Sequence, residues 1–339
     1  MARGRELFRY CATRLALAPL MLWLIASLVF LLLRVAPGDP VDAVLGSRAP
    51  EAAKAALRSS LGLDQSLWNQ YLDFLRGLVH GDLGVALINN EPVRSIISKT
   101  LPASLELGIT ALIISAVLGL AVGFSGIARP EGKFDLAGRF YGIGTYALHP
   151  FWAAMLIQLV FAVMLGWLPV GGRFPPSLIP PEGSGFLIFD SMISGNWSAL
   201  QGTIRHLVLP AGTLGLLLSG VFTNALRLNL NRTLKSDYVE SARSRGLSET
   251  QVVLRHALPN ALLPVLTIAG ITVASLIGGA LLIEVTFSWP GIAMRLQESI
   301  NQRDYPVVQG IVVAIAALVV MVSVAVDLLV AVLDPRIRY

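Results

Sequence analysis

The sequence predicts an all-α polytopic membrane protein with six transmembrane helices, on three observations. Of its 339 residues, 55% are apolar and 14% charged, with a mean hydropathy of +0.69, whereas a soluble domain carries about 25% charged residues. Six stretches lack Asp, Glu, Lys and Arg for roughly the 20 residues that cross a hydrocarbon core: 15–33, 107–128, 142–172 (spanning to about 165), 206–226, 257–283 and 305–326. These runs are continuous rather than alternating, and of the two architectures that satisfy backbone groups in lipid, helices and closed barrels, that pattern selects helices.

The basic residues set the expected orientation. Arg3, Arg5, Arg9 and Arg14 precede the first span, and Arg129, Lys133 and Arg139 follow the second. Arg227, Arg232, Lys235, Arg243, Arg245 and Arg255 follow the fourth, and Arg336 and Arg338 close the chain. Those 15 of the 26 Lys and Arg residues all fall on one side, which the positive-inside rule makes the cytoplasmic one. The expected order is a cytoplasmic tail (1–14), span one (15–34), an extracytoplasmic helical domain (35–101), spans two to six (102–333) with a cytoplasmic loop at 227–258, and a cytoplasmic tail (334–339). The first apolar run has a signal-peptide-like basic flank but no small-residue cleavage site, so it is expected to stay as an anchor. A single cysteine, Cys11, leaves no intrachain disulfide.

Within 35–101, Leu67, Tyr71, Leu75 and Leu78 recur at helical spacing and predict one buried face. Asp64 is the expected N-cap of that helix, and Gly62 the end of a preceding helix over 51–60. An amphipathic piece at 92–99 leads back to the membrane. Residues 166–203 are rich in Gly, Pro and Trp without long periodicity, and 284–304 predict a turn at Ser288-Trp289-Pro290-Gly291 followed by a short helix over 292–300. Gly119 and Gly123, and Gly270, Ala274 and Gly278, have the spacing of close helix packing. Glu106 at the mouth of the second span, and Asp327 about 10 Å of helix rise before Asp334, read as polar pairings near the interfaces.

The segment with most functional content is Asp237-Tyr238-Val239-Glu240-Ser241-Ala242-Arg243-Ser244-Arg245-Gly246, with Pro259 thirteen residues on. Residues 237–245 suit two helical turns, Gly246 a break at positive φ, and Ser248 with Gln251 a capping box opening a helix expected to stop near Pro259. The spacing of Glu240, Ala242, Gly246, Leu258 and Pro259 resembles the loop that permease subunits of ABC importers insert into their ATPases. Seven further motifs, in order, resemble the dipeptide, oligopeptide and nickel permeases across nearly the whole chain. They are Arg34-Val35-Ala36-Pro37-Gly38-Asp39-Pro40, Leu61-Gly62-Leu63-Asp64 with Gly81-Asp82-Leu83-Gly84, Trp167-Leu168-Pro169, His206-Leu207-Val208-Leu209-Pro210, Phe287-Ser288-Trp289-Pro290-Gly291, Arg303-Asp304-Tyr305-Pro306 and Asp334-Pro335-Arg336. Ser241 departs from that pattern, where a second Ala is usual.

This resemblance implies a type I ABC importer permease fold in a bacterial inner membrane, with Asp237, Tyr238, Glu240, Ala242, Gly246 and Pro259 in an ATPase-coupling loop. The implied partners are a second related permease subunit, two cytoplasmic ABC ATPase subunits, an extracytoplasmic solute-binding protein and the lipid bilayer, with no nucleic acid. Peptide is the implied cargo, with nickel or glutathione as alternatives. No cofactor or metal is expected. The chain has no phosphate-cradling Gly-x-x-x-x-Gly-Lys-Ser/Thr, because Phe134 follows Gly132-Lys133, and none of His80, His149, His206 and His256 begins a zinc motif. It is therefore expected to be a transporter subunit with no ATPase site of its own. A secondary carrier without an ATPase calls for midplane charges and repeat-related broken helices, neither evident here. A membrane scaffold or receptor predicts no solute flux.

Overall fold

The computed structural model describes residues 2–35, 38–46, 48–125 and 132–333, without the side chains of 2–11, 274–275, 277–279 and 330–333. Asp334, Pro335, Arg336, Arg129 and the side chains of Cys11, Ala274 and Gly278 therefore lie outside the described set. Helix α1 (Ala2–Val35) is followed by α2 (Pro40–Leu45), α3 (Glu51–Ser60) and α4 (Leu67–His80). Asp39 caps α2, accepting from the Val41 amide at 2.8 Å, and pairs with Arg58 of α3. Helix α3 ends as its sequence implies. Gly62 has φ +64, and the Leu63 and Gly62 amides donate back to Arg58 and Ser59 carbonyls, the Schellman pattern.

Two expectations for this segment need correction. The N-cap of α4 is Ser66, whose hydroxyl accepts from the Asn69 amide, not Asp64, which lies too far from the first free amides of a helix that starts at Leu67. The packed face also starts one turn later than expected. No residue of α4 is fully buried and Leu67 is 60% exposed, while Tyr71, Leu75 and Leu78 are half-buried as their spacing predicts. The contact with α1 is made by Tyr71 and by Phe74, whose rings lie 5.3 and 5.7 Å from that of Phe30, with Ser27 Oγ 2.7 Å from the Tyr71 hydroxyl.

The amphipathic piece at 92–99 is the first part of α5 (Val93–Ser125), a single helix with Pro102 inside it. The third expected span is broken. Helix α6 (Lys133–Ala147) meets α7 (Pro150–Gln158), which continues as π-helix through Met164, at 101°. Pro150 causes the break, since the residue before proline is pushed out of the α region; Leu148 and His149 are extended, with ψ of 123 and 129°. Among the described residues five helices are long and apolar enough to cross a membrane, or six if the bent pair counts as one span.

After α8 (Leu187–Ile193) comes α9 (Trp197–Thr233), whose 37 residues extend about 55 Å. It continues past the expected end of the fourth span at residue 226 because Arg227, nine-tenths buried, pairs with Asp135 of α6. Next are α10 (Asp237–Ser244) and α11 (Glu249–Gln251), then a π-helical stretch, Val252–Ala257, that runs directly into α12 (Leu258–Thr286). The chain ends with α13 (Ile292–Asn301) and α14 (Tyr305–Leu333). Helix α9 is the central element: 67% of its most apolar window is buried, against 11% for α1. It lies so close to α5 that a Cβ on Gly119 would sit 2.5 Å from the Ser219 carbonyl oxygen and from Phe222. Thr223 crosses the same gap to donate to the Gly119 carbonyl at 3.1 Å. Gly270 likewise admits Val326 of α14.

Both flagged acids are paired. Glu106 holds Arg173 at 2.6 Å and accepts from the Ile188 amide, and Asp327 meets Arg14 at 3.2 Å.

Candidate functional site

The loop between α9 and α12 is held by its own apolar underside. In α10, Val239 and Ala242 lie three apart, so they share a face; they are 0% and 5% exposed. They pack with Leu226 and Leu230 of α9, and with Val252, Ala257 and Ala261 beyond the turn, in one buried cluster. Asp237, Glu240, Ser241 and Ser244 fall on the opposite face and are exposed, while Tyr238 on the flank is 41% exposed. Asp237 and Glu240 also stand in the first turn of α10, where carboxylates complement the helix dipole.

Gly246 ends α10 with φ +77, its amide donating to the Arg243 carbonyl at 2.9 Å. A Cβ there would meet no atom within 4 Å; only the left-handed backbone selects glycine. Two residues on, Ser248 and Gln251 form the reciprocal capping box, with bonds of 3.3 and 3.4 Å. The turn carries a clamp that sequence spacing did not reveal. Arg243 donates to both Glu249 carboxylate oxygens, at 3.0 and 2.6 Å, and to the Leu234 carbonyl at 3.3 Å. A second missed feature is the Arg227–Asp135 pair with Arg139 beside it, which ties α6 to α9 near the loop. An acid in the first turn of α6 and a base late in α9 gave no pattern, because 92 residues separate them.

Ala242 points into its own chain and forms the footing of α10, and one expectation changes. The helix opened by Ser248 does not stop at Pro259 but runs through the π turn into α12. Pro259 is exposed at the start of α12, directly after the π-helical turn. The loop therefore brings Asp237, Tyr238, Glu240 and Gly246 to one exposed ledge and leaves Ala242 beneath it, with Pro259 at the base of α12. The ledge is a polar surface on an apolar footing shared by two long helices. Among the described residues no three His, Cys, Asp or Glu side chains converge as metal ligands.

Comparison with known proteins agrees in extent and kind. Residues 115–339 match the family described as "Binding-protein-dependent transport system inner membrane component", and residues 7–108 match the corresponding N-terminal family. The dipeptide transport system permease protein of Alkalihalophilus pseudofirmus is 36% identical over 330 residues, covering 97% of this chain and 99% of that protein. The di/tripeptide permease protein of Pseudomonas aeruginosa is 38% identical over 97% of this chain and 98% of its own. The dipeptide permease protein of Escherichia coli K12 is 36% identical over 93% of this chain and 94% of its own. A solved amino acid ABC transporter with histidines superposes at TM-score 0.48 and 15% identity, covering 78% of this chain and 98% of its own; a likeness that distant adds nothing to the assignment. The chain belongs to the binding-protein-dependent transport system inner membrane components, the multi-pass permease subunits of ABC importers.

Proposed function

We propose that this chain forms half of the path by which an ABC importer takes up short peptides, using ATP hydrolysed by partner subunits. The observation that carries the cargo is the 36–38% identity to di- and tripeptide permeases over 93–97% of the chain. A second, related permease subunit completes the path, two ATPases dock beneath it and a solute-binding protein delivers the peptide; the assembled complex is the ATP-driven translocase. Both termini and the α9–α12 loop lie in the cytoplasm, and 35–101 lies outside, as the basic residues suggest.

Coupling runs through α10. A closing ATPase dimer pushes the ledge of Asp237, Tyr238 and Glu240. Because Val239 and Ala242 are packed into the α9–α12 cluster, the push moves both helices as one body, a rigid two-state change of the kind nucleotide can bias. Reconstitution with its partner subunits tests the cargo. Labelled dialanine should enter vesicles only with ATP and the binding protein, and outcompete nickel and glutathione. Uptake of either of those with no dialanine uptake would refute the peptide reading. For orientation, with Cys11 replaced, a cysteine at Ser236 should react only from the cytoplasm and one at Asn90 only from outside.

A further inference from the structure

A polar cavity of about 280 Å3 lies where the end of α1, the body of α4 and the first turns of α14 meet, well above the space one water requires. It stands apart from the coupling ledge, and the apolar span Ala12–Val35 places its floor at the depth of one membrane interface. Two hydrogen-bond donors on its wall have no acceptor. Gln309 of α14 is 8% exposed and its Nε2 is buried without a partner; Nη1 of Arg34 is in the same position. Buried donors in native proteins are almost always satisfied, so an acceptor is missing from both.

The Arg34 guanidinium is fixed in place. Its Nε donates to Gln70 Oε1 at 2.9 Å, and Gln70 is itself oriented by donating to the Gln65 and Leu63 carbonyls at 2.9 and 3.3 Å. The charge lies 4.8 Å from the Phe30 ring centroid and 5.6 Å from that of Tyr305, within cation–π range. Nη1 is buried and makes no hydrogen bond. The lining also carries two carboxylates, Asp82 and Asp73, the latter within 3.3 Å of Arg76. Asp82 accepts from the Gly84 amide at 2.9 Å, which holds its carboxylate in position. Unpartnered donors and carboxylates lining one cavity suit a molecule carrying both acidic oxygens and an ammonium.

We propose that this cavity binds a small zwitterion, its carboxylate or phosphate oxygens held by Arg34 and Gln309 and its ammonium by Asp82 and Asp73. An amino acid or short peptide has that chemistry, and so does a phosphatidylethanolamine headgroup. Only the use of dialanine as a probe rests on the peptide reading; alanine tests the site even if the cargo proves different.

The test uses the complex of both permease subunits and ATPases without the binding protein. In nanodiscs of phosphatidylglycerol alone, alanine and dialanine are titrated calorimetrically beside N-acetylalanine and alanine amide. In mixed nanodiscs, retained phosphatidylethanolamine is counted by native mass spectrometry. Either binding of alanine or dialanine, or retention of phosphatidylethanolamine, should weaken at least tenfold in Gln309→Leu, and the arm that responds names the source. In the first case both blocked analogues should bind at least tenfold more weakly than alanine. Asp82→Asn should weaken alanine and leave N-acetylalanine unchanged. Should Gln309→Leu reduce the yield of assembled complex, Asp82→Asn decides alone on the binding and retention readouts. No binding or retention that depends on either residue would overturn the proposal.

Discussion

The α10 ledge and the joint at the end of α1 are both polar, and they are built in opposite ways. The ledge is local. Its clamp, Arg243 to Glu249, spans six residues, its capping box three, and its apolar footing comes from stretches of α9, α10 and α12 close in sequence. The joint is long-range. The Leu87 amide donates to Asp304 across 217 residues, and the Tyr305 hydroxyl to the Gly38 carbonyl across 267. Local bonds fix the shape of the ledge by itself, whereas the long-range bonds tie the end of the first span to the start of the last.

The largest effect should come from breaking a long-range charge pair. Arg173 and Glu106 have side chains only 10% and 5% exposed, so Arg173→Ala leaves a buried carboxylate unpaired, at a cost of about 3–5 kcal/mol. We expect a large loss of assembled protein and thermal stability, largely restored by Arg173→Ala with Glu106→Leu. An unaffected single variant would mean that this long-range pair does not hold α5 to the loop before α8.

Next is the footing of the ledge. Ala242→Trp forces a large ring into the cluster beneath α10, an overpacking worth about 1–3 kcal/mol, so the isolated chain itself should lose stability. Glu240→Ala, on the exposed face, should leave the chain's melting temperature unchanged and reduce only retention of the ATPase. Equal melting temperatures for Ala242→Trp and wild type would place Ala242 on the outside after all.

The smallest effect is a pH step. Burial opposes ionisation of Asp39, but hydrogen bonds from Arg58 and the Val41 amide outweigh it and hold the carboxyl below its usual 3.8. With its folded value depressed, Asp39 contributes stability above its unfolded pKa and loses it as pH falls through the folded one. Amide protection in α2 and α3 should be flat from about pH 7 to 5 and fall below about pH 4. Arg58→Ala should move that step toward higher pH, and an unmoved step would show that Arg58 does not stabilise the ionised form.

What could be read from sequence follows the same division. Gly62, Gly246, the Ser248–Gln251 box and the short helix after Gly291 were readable because a positive φ or a cap is set within a few residues. The seven weak motifs were visible as strings, but not their meeting: Arg34 against Tyr305, Gly38 against Arg303 and Gly84 beside Pro306. The inward turn of Ala242, the later start of the packed face of α4 and the break before α7 each depend on which neighbour a helix finds, and spacing alone carries no record of that neighbour. Pro150 marks the break in the string itself, but a count of apolar residues runs through a proline unchanged.

The most direct test of the coupling claim is Gly246, where only backbone conformation is at stake. Gly246→Val should disfavour φ +77, since a β-branched residue seldom adopts it, while Gly246→Asn tolerates it. Both variants should insert normally, with neither touching a span. In the purified complex we predict that Val lowers ATPase-subunit retention and solute-stimulated ATP hydrolysis at least tenfold, and that Asn stays within about twofold of wild type. Wild-type retention, hydrolysis and uptake in Gly246→Val would contradict the account and leave the loop a plain connector.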